Sequence, residues 1–266
     1  MLLAIHIGNT VIAFAVYDTD NSNRNPRDRL QFCAEISAKP IRCADEYAVL
    51  LGQIFSLRKF PLSSITDVII SSVVPALTEV LRAAAAQFTQ VRPLIVSSGI
   101  KTGLRICIDQ PSQLGADLCA RAVGAAPYIG NGPAVIASLD TATTLTVMTS
   151  ADTLSGVIIM PGLQSAAQAL DRDAAQLTEI PLEPPRRVIG KTTADAMKSG
   201  LLLGCAAQID GMVSRIAAEL NLSPADLTLI SCGRYAHRIT PLCTCAFTEV
   251  PHLLFEGLLS IYERNR

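Results

Sequence analysis

The chain has 266 residues, half of them apolar, with 22 Lys plus Arg against 23 Asp plus Glu and a formal net charge of −1. That length accommodates one large or two small domains, and the apolar content supports a sizeable core, which excludes global disorder. The balanced charge has no basic run to track a phosphate backbone, and 5% aromatic residues with no Trp argue against base-stacking platforms and a membrane aromatic belt.

Apolar runs at 2–7 and 11–17 flank Gly8-Asn9-Thr10, and the second is rich in Val, Ile, Phe and Tyr, so the pattern predicts a β-hairpin. Polar residues at 19–29 predict a loop, followed by a strand at 30–36, a helix at 44–57 and a short buried strand at 67–71. Val73-Val74-Pro75 opens a helix to about residue 87, and 93–97 reads as another strand. Pro111 to Asp117 opens a helix through residue 126 that carries the Asp117 carboxylate in its first turn, and Asn131-Gly132-Pro133 ends the first half. Strands and helices alternating at these lengths indicate an α/β domain with a mixed sheet.

The order then restarts: a strand at 134–139, a small-residue turn at 140–143 and a strand at 144–148. Setting His6-Ile7-Gly8-Asn9-Thr10 beside Ser138-Leu139-Asp140-Thr141-Ala142 gives an offset of 132 residues (138 − 6), half the chain, which reads as an internal duplication. Helices at 163–171 and 193–220, a strand at 227–231 and a helix at 253–263 complete the second half, so domains of 1–126 and 127–266 are expected.

A Gly-Asn-Thr turn between strands offers backbone N–H groups and a hydroxyl, and its glycine admits an anion closely. Either turn alone is also an ordinary hairpin connection; their pairing at half-chain spacing is what points to a polyphosphate held from both sides of a cleft. Neither leads through Gly-Lys-Ser/Thr into a helix, so this is not a Walker loop.

Eight cysteines occur without a basic and apolar leader at the N-terminus, which favours a reducing cytoplasm over a disulfide framework. Cys33, Cys43, Cys107, Cys119, Cys205 and Cys232 are scattered among apolar neighbours and read as small core residues. Cys243 and Cys245 lack the paired spacing of a zinc site. No apolar run reaches the ~18 residues of a membrane helix, so no membrane association is expected.

A series of short motifs runs through nearly the whole chain. It begins with Ile7-Gly8-Asn9-Thr10, Ser71-Ser72-Val73-Val74-Pro75, Thr102-Gly103-Leu104 and Pro111 through Gly115-Ala116-Asp117. Thr141-Ala142-Thr143-Thr144, Pro161-Gly162, Ile189-Gly190-Lys191-Thr192-Thr193, Gly200 to Gly204, Asp210-Gly211 and Glu256-Gly257-Leu258 follow in order. In this series the chain resembles the type III pantothenate kinases, of the superfamily containing acetate and sugar kinases, actin and the heat-shock chaperone ATPase. The resemblance implies an α/β fold of two ribonuclease-H-like (actin-like ATPase) domains related by duplication, and transfer of the ATP γ-phosphoryl group to pantothenate on the way to coenzyme A. It implies phosphate contacts from the first turn (His6, Gly8, Asn9, Thr10) and from Thr141, and a general base at Asp117. It places substrate-binding positions at Gly115, Ala116, Asp117, Leu118 and Thr193, and the family's cation position at Ser138, with Asp140 two residues on as a carboxylate that could restore a metal link. Mg²⁺, a monovalent cation such as K⁺, and a homodimer that completes the pantothenate pocket are further implications.

The departures from the family pattern fall on the chemistry. The metal-positioning aspartate of the first turn is His6, a poor ligand for a hard cation that wants oxygen. The second turn, Asp-x-Gly-Thr in the family, is Ser138-Leu139-Asp140-Thr141, which moves the carboxylate two positions. The arginine after Gly-Ala-Asp is Leu118, a pocket tyrosine is Ile108, Thr-Gly-Gly is Ser231-Cys232-Gly233, and the acidic residue before Pro251 is Val250. His6 reads as a neutral hydrogen-bonding residue or, protonated, as a charge facing a triphosphate. Asp140 reads as a turn residue or a restored metal carboxylate, Lys191 as a solvated charge or a phosphate contact, and Asp117 as a partner of the helix dipole or as the base. Phosphoryl transfer depends on positioning and charge neutralisation. Two functions therefore follow: a pantothenate kinase with Asp117 as base, or a catalytically degenerate paralogue that partners an intact kinase as a heterodimer.

Overall fold

The computed structural model describes residues 1–20, 25–89, 91–173 and 180–266. Strands β1 (Leu2–Ile7) and β2 (Val11–Tyr17) form the expected antiparallel hairpin. Helix α1 (Pro26–Arg29) falls inside the segment expected to be a loop; the Asn25 side chain caps it by accepting from the Arg27 N–H, and Pro26 suits its first turn. The rest of that loop expectation, at 21–24, lies outside the described residues. Strand β3 (Leu30–Ser37), helix α2 (Ala44–Leu57), strand β4 (Asp67–Ser72), helix α3 (Pro75–Ala86) and strand β5 (Leu94–Ile95) follow, giving a sheet of order β3-β2-β1-β4-β5.

Period-two alternation sends the strand residues to two faces. Leu3, Ile5, Ile7, Phe14 and Val16 pack with Leu51 and Phe55 of α2 and Leu77 and Leu81 of α3. Leu2, Ala4, Ala15 and Tyr17 pack instead with Ala120 and Val123 of helix α4 (Ala116–Ala125) and with residues 254–262 near the C-terminus.

The second sheet comprises β6 (Arg105–Ile106), β7 (Ala134–Leu139), β8 (Ala142–Ser150), β9 (Thr153–Pro161), β10 (Thr228–Cys232) and β11 (Thr248–Glu249), in the order β11-β10-β7-β8-β9-β6. Apart from β6 it repeats the first: β8 lies antiparallel to both β7 and β9, and β10 lies parallel to both β7 and β11. β7 follows β1 at the expected offset of 132 residues (134 − 2), so the duplication is structural. The turns differ in length. Four residues separate the Ile7↔Ile12 pair and three the Leu139↔Thr143 pair, so β8 starts at Ala142, two residues before the expected strand. β9 was not expected from the sequence, nor were the two-residue strands β6 and β11.

Helix α5 (Leu163–Asp173) precedes α6 (Thr193–Lys198), a π-helical stretch (Ser199–Leu203) and α7 (Gly204–Glu219). The last three form a helix of 27 residues, Thr193–Glu219, which by length and composition alone is apolar enough to cross a membrane, contrary to the count of apolar runs. Its Leu202, Ile209, Val213 and Ala217 recur at helical spacing and are buried with Val135 and Leu145, so that stripe is core of the second sheet. Helix α8 (Ala236–Ile239) and the C-terminal helix α9 (Leu253–Asn265) complete the elements used below.

The chain divides into two compact units, Met1–Leu104 with Asp109–Gly124 and Leu253–Arg266, and Arg105–Ile108 with Ala125–His252. α9 therefore belongs to the first unit and not to the second half, where chain order had placed it. Glycines decide this contact: a Cβ on Gly257 would overlap the Ala120 carbonyl oxygen, and one on Gly124 that of Leu253, so α4 and α9 cross backbone to backbone. Two ion pairs then fasten α1 to α9, Arg27 Nε to the buried Glu256 at 3.4 Å and the buried Arg29 to Glu263 at 2.7 Å.

The thiols correct the expectation of six core cysteines. Cys119, Cys205 and Cys232 are buried and Cys33 is half-buried, but Cys43 and Cys107 are exposed.

Candidate functional site

In the first unit, the Gly8 N–H donates to the Val11 carbonyl at 2.9 Å and closes the first turn, leaving Asn9 and Thr10 exposed. His6 is half-buried, and its Nε2 lies 3.4 Å from where a Cβ on Gly8 would stand. Alternation places His6 on the same sheet face as Leu2 and Ala4, the face that α4 and α9 cover. On β4 its register neighbour is Ser71, whose buried hydroxyl has no hydrogen-bond partner among the described residues.

On α4 of the same unit, Gly115, Ala116, Asp117 and Leu118 come together at the first turn. Asp117 Oδ2 accepts from Arg121 Nη1 at 2.6 Å, a pair four residues apart along the helix. Asp117 Oδ1 points over Gly115, where a Cβ would come within 2.6 Å of it, so a side chain there would displace the carboxylate oxygen from this position. Leu118, in the place of the expected arginine, is buried. Arg121 was absent from the sequence-based site; its only signal was the spacing to Asp117.

In the second unit, the second turn is clasped by the loop after β10. Asp140 Oδ1 accepts from the Arg234 N–H at 2.9 Å, Asp140 Oδ2 from Ser138 Oγ at 3.3 Å, and the Leu139 carbonyl from the Tyr235 N–H at 3.0 Å. Gly233 at φ +96° permits this approach, since a Cβ there would lie 2.8 Å from the Leu139 carbonyl oxygen and 2.9 Å from Asp140 Oδ2. Thr141 is exposed, and its carbonyl accepts from Ser165 Oγ at 2.9 Å. Thr193 opens α6, exposed, beside the N-cap Thr192, whose hydroxyl accepts from the Asp195 N–H at 3.1 Å. Lys191 is exposed and Cys232 buried.

Beside the clasp lies a cavity of about 570 Å³, lined among others by Gln164, Leu182, Met197, Arg234, Tyr235 and Arg238. Tyr235 donates to Gln164, and Arg238 Nη1 to the Leu182 carbonyl at 3.0 Å, so its walls are tied together. Sequence reading missed it because its residues come from four separate stretches.

The cation expectation for Ser138 and Asp140 meets a donor set that does not fit a protein-held metal. Both Asp140 oxygens accept protein hydrogen bonds, His6 stands where a carboxylate was expected, and among the described residues no three His, Cys, Asp or Glu side chains form a metal-holding group. Cys243 and Cys245 pack against the core of the second unit: Cys243 Sγ donates weakly to the Ile239 carbonyl at 3.6 Å, and burial pushes its thiol up to about 12. Asp210 holds their loop, accepting from the Thr244 N–H at 2.7 Å and the Cys245 N–H at 3.1 Å.

The chain matches the sequence model of the type III pantothenate kinase family over residues 2–215. It is 38% identical over 266 residues to a type III pantothenate kinase of Roseiflexus sp. (strain RS-1), covering 100% of both chains. Among solved structures it is similar to a conserved Baf family protein from Campylobacter jejuni, with TM-score 0.60 and 16% identity over 99% of this chain and 98% of that one. It is also similar to the activator of 2-hydroxyisocaproyl-CoA dehydratase from Clostridium difficile with bound ADPNP, with TM-score 0.53 and 10% identity over 99% and 94% of the two chains. These likenesses carry the fold: two ribonuclease-H-like sheets of the actin-like ATPase class. With the family match and full-length identity beside them, the chain belongs to the type III pantothenate kinase family.

Proposed function

We propose that the chain transfers the γ-phosphoryl group of ATP to the pantothenate hydroxyl. The hydroxyl proton passes to Asp117 Oδ1 as the oxygen bonds to the γ-phosphorus and the bond to the ADP oxygen breaks. The observation that carries the reading is the Asp117 carboxylate itself, held by Arg121 through one oxygen with the other directed over Gly115. Its support is the full-length identity to relatives named for this activity. In the first unit the backbone N–H groups of Asn9 and Thr10 and the Thr10 hydroxyl are the groups offered to phosphate; in the second unit Thr141 is their counterpart and Thr193 the residue offered to pantothenate. The cavity beside Arg234 takes the nucleoside, its volume lying within the ~300–1,000 Å³ usual for such ligands.

Purified protein incubated with ATP, Mg²⁺, K⁺ and pantothenate is expected to form phosphopantothenate, detected by mass spectrometry. The His6→Asp, Leu118→Arg double variant is expected to be faster by at least about tenfold, because charge stabilisation is the main term in such transfers. Absence of product from both proteins overturns the reading. His6 at the first turn favours one second reading, a partner subunit of an intact kinase; that requires wild type to be inactive alone and to form an active complex when co-expressed with such a kinase. The kinase reading takes the chain as a cytoplasmic homodimer, with size exclusion as its check.

A further inference from the structure

We infer that Arg121 is the positioning residue for the base: it fixes Asp117 so that only Oδ1 meets the acceptor hydroxyl. This rests on the proposed phosphotransfer. The geometry is specific. Arg121 is buried at 7% exposure, and its Nη1 takes Asp117 Oδ2 at 2.6 Å from one helical turn further along α4. A carboxylate so engaged cannot rotate freely about its last bond, and Oδ1 is held over Gly115, the one residue there without a side chain to block it. The neighbouring Leu118 is buried and apolar, so it offers the carboxylate no competing donor. In the transfer, the hydroxyl O–H bond breaks and an Oδ1–H bond forms while Oδ2 keeps its bond from the guanidinium. Arg121 gains and loses no proton and touches neither substrate.

The dependence on one carboxylate makes the inference testable by a double-mutant cycle, because residues acting as a unit are not additive. Arg121→Gln removes the charge and keeps an amide donor; it is expected to lower kcat by about 10–100-fold, the range that misplacement of a reacting group by ~1 Å produces. KM for ATP and for pantothenate stays within twofold. Arg121→Lys, which retains a cationic donor, recovers part of the loss, and it serves as the test protein if the Gln variant melts below the assay temperature. In an Asp117→Asn background, with its residual rate measured by product accumulation, Arg121→Gln is expected to cost nothing further. Equal losses in both backgrounds, or a loss confined to KM, overturn the inference while leaving the kinase reading standing. An active wild type with an equally active, folded Arg121→Gln variant does the same. A wild type without phosphotransfer overturns both.

Discussion

The carboxylates of this protein differ in what they hold. Asp117 gives one oxygen to Arg121 and holds the other over Gly115, whereas Asp140 accepts at both, Oδ1 from the Arg234 N–H of the loop after β10 and Oδ2 from Ser138 Oγ of its own turn. From the sequence both were visible as candidates, but the distinction was not, because the donor that ties Asp140 to the loop is a backbone N–H 94 residues away. Arg121 was invisible for the opposite reason: its partner is close in sequence, and an Asp and an Arg four apart are a routine helix pair. Asp210 is a third case. Burial pushes its carboxyl up, but the N–H groups of Thr244 and Cys245 outweigh that, and the net direction is down. A depressed folded pKa contributes stability that is full above the ordinary value of about 3.9 and fades as pH falls through the lower folded value. Asp210→Asn is therefore expected to lower the urea midpoint at pH 6 and to shrink the difference from wild type as pH drops below about 4. An undiminished difference at pH 3 would assign Asp210 a role independent of its charge.

At the scale of elements, apolar runs and helical spacing located β1, β2, α2, β7 and α9 to within a residue or two. β9 escaped because Ser155 and Gly156 interrupt its alternation, although Val157-Ile158-Ile159 was a readable strand signal. The placement of α9 shows a stronger limit. Its apolar face is evident in sequence, but its neighbour depends on two glycines meeting across a helix crossing, Gly124 and Gly257. Helix propensity alone favours Ala over Gly by ~1 kcal/mol. At Gly257 the new methyl would overlap the Ala120 carbonyl oxygen, so Gly257→Ala is expected to destabilise by about 1–3 kcal/mol in urea unfolding instead. A gain in stability would show that α4 and α9 separate at little cost.

For the molecule as a whole, the two units carry the same order of five strands, to which the second adds β6, built from different lengths of chain. The first takes its last helix from the C-terminus, where α9 covers Leu2, Ala4 and Tyr17. Removing residues 253–266 is expected to abolish hydrogen-exchange protection in β1 and β2 and to leave it in β7 and β8, since those belong to the other core. Equal loss in both would mean that the units do not hold their cores separately. The sequence by itself determined the family, the duplication and the two turns, because these are written in local motif chemistry and in a repeat at fixed offset. Only the tertiary structure decided which unit owns α9, that Asp140 clasps the loop after β10, and that Arg121 holds Asp117. Each of these depends on which side chains and carbonyls the packed elements bring within hydrogen-bonding or van der Waals distance, and periodicity along the chain does not encode that distance.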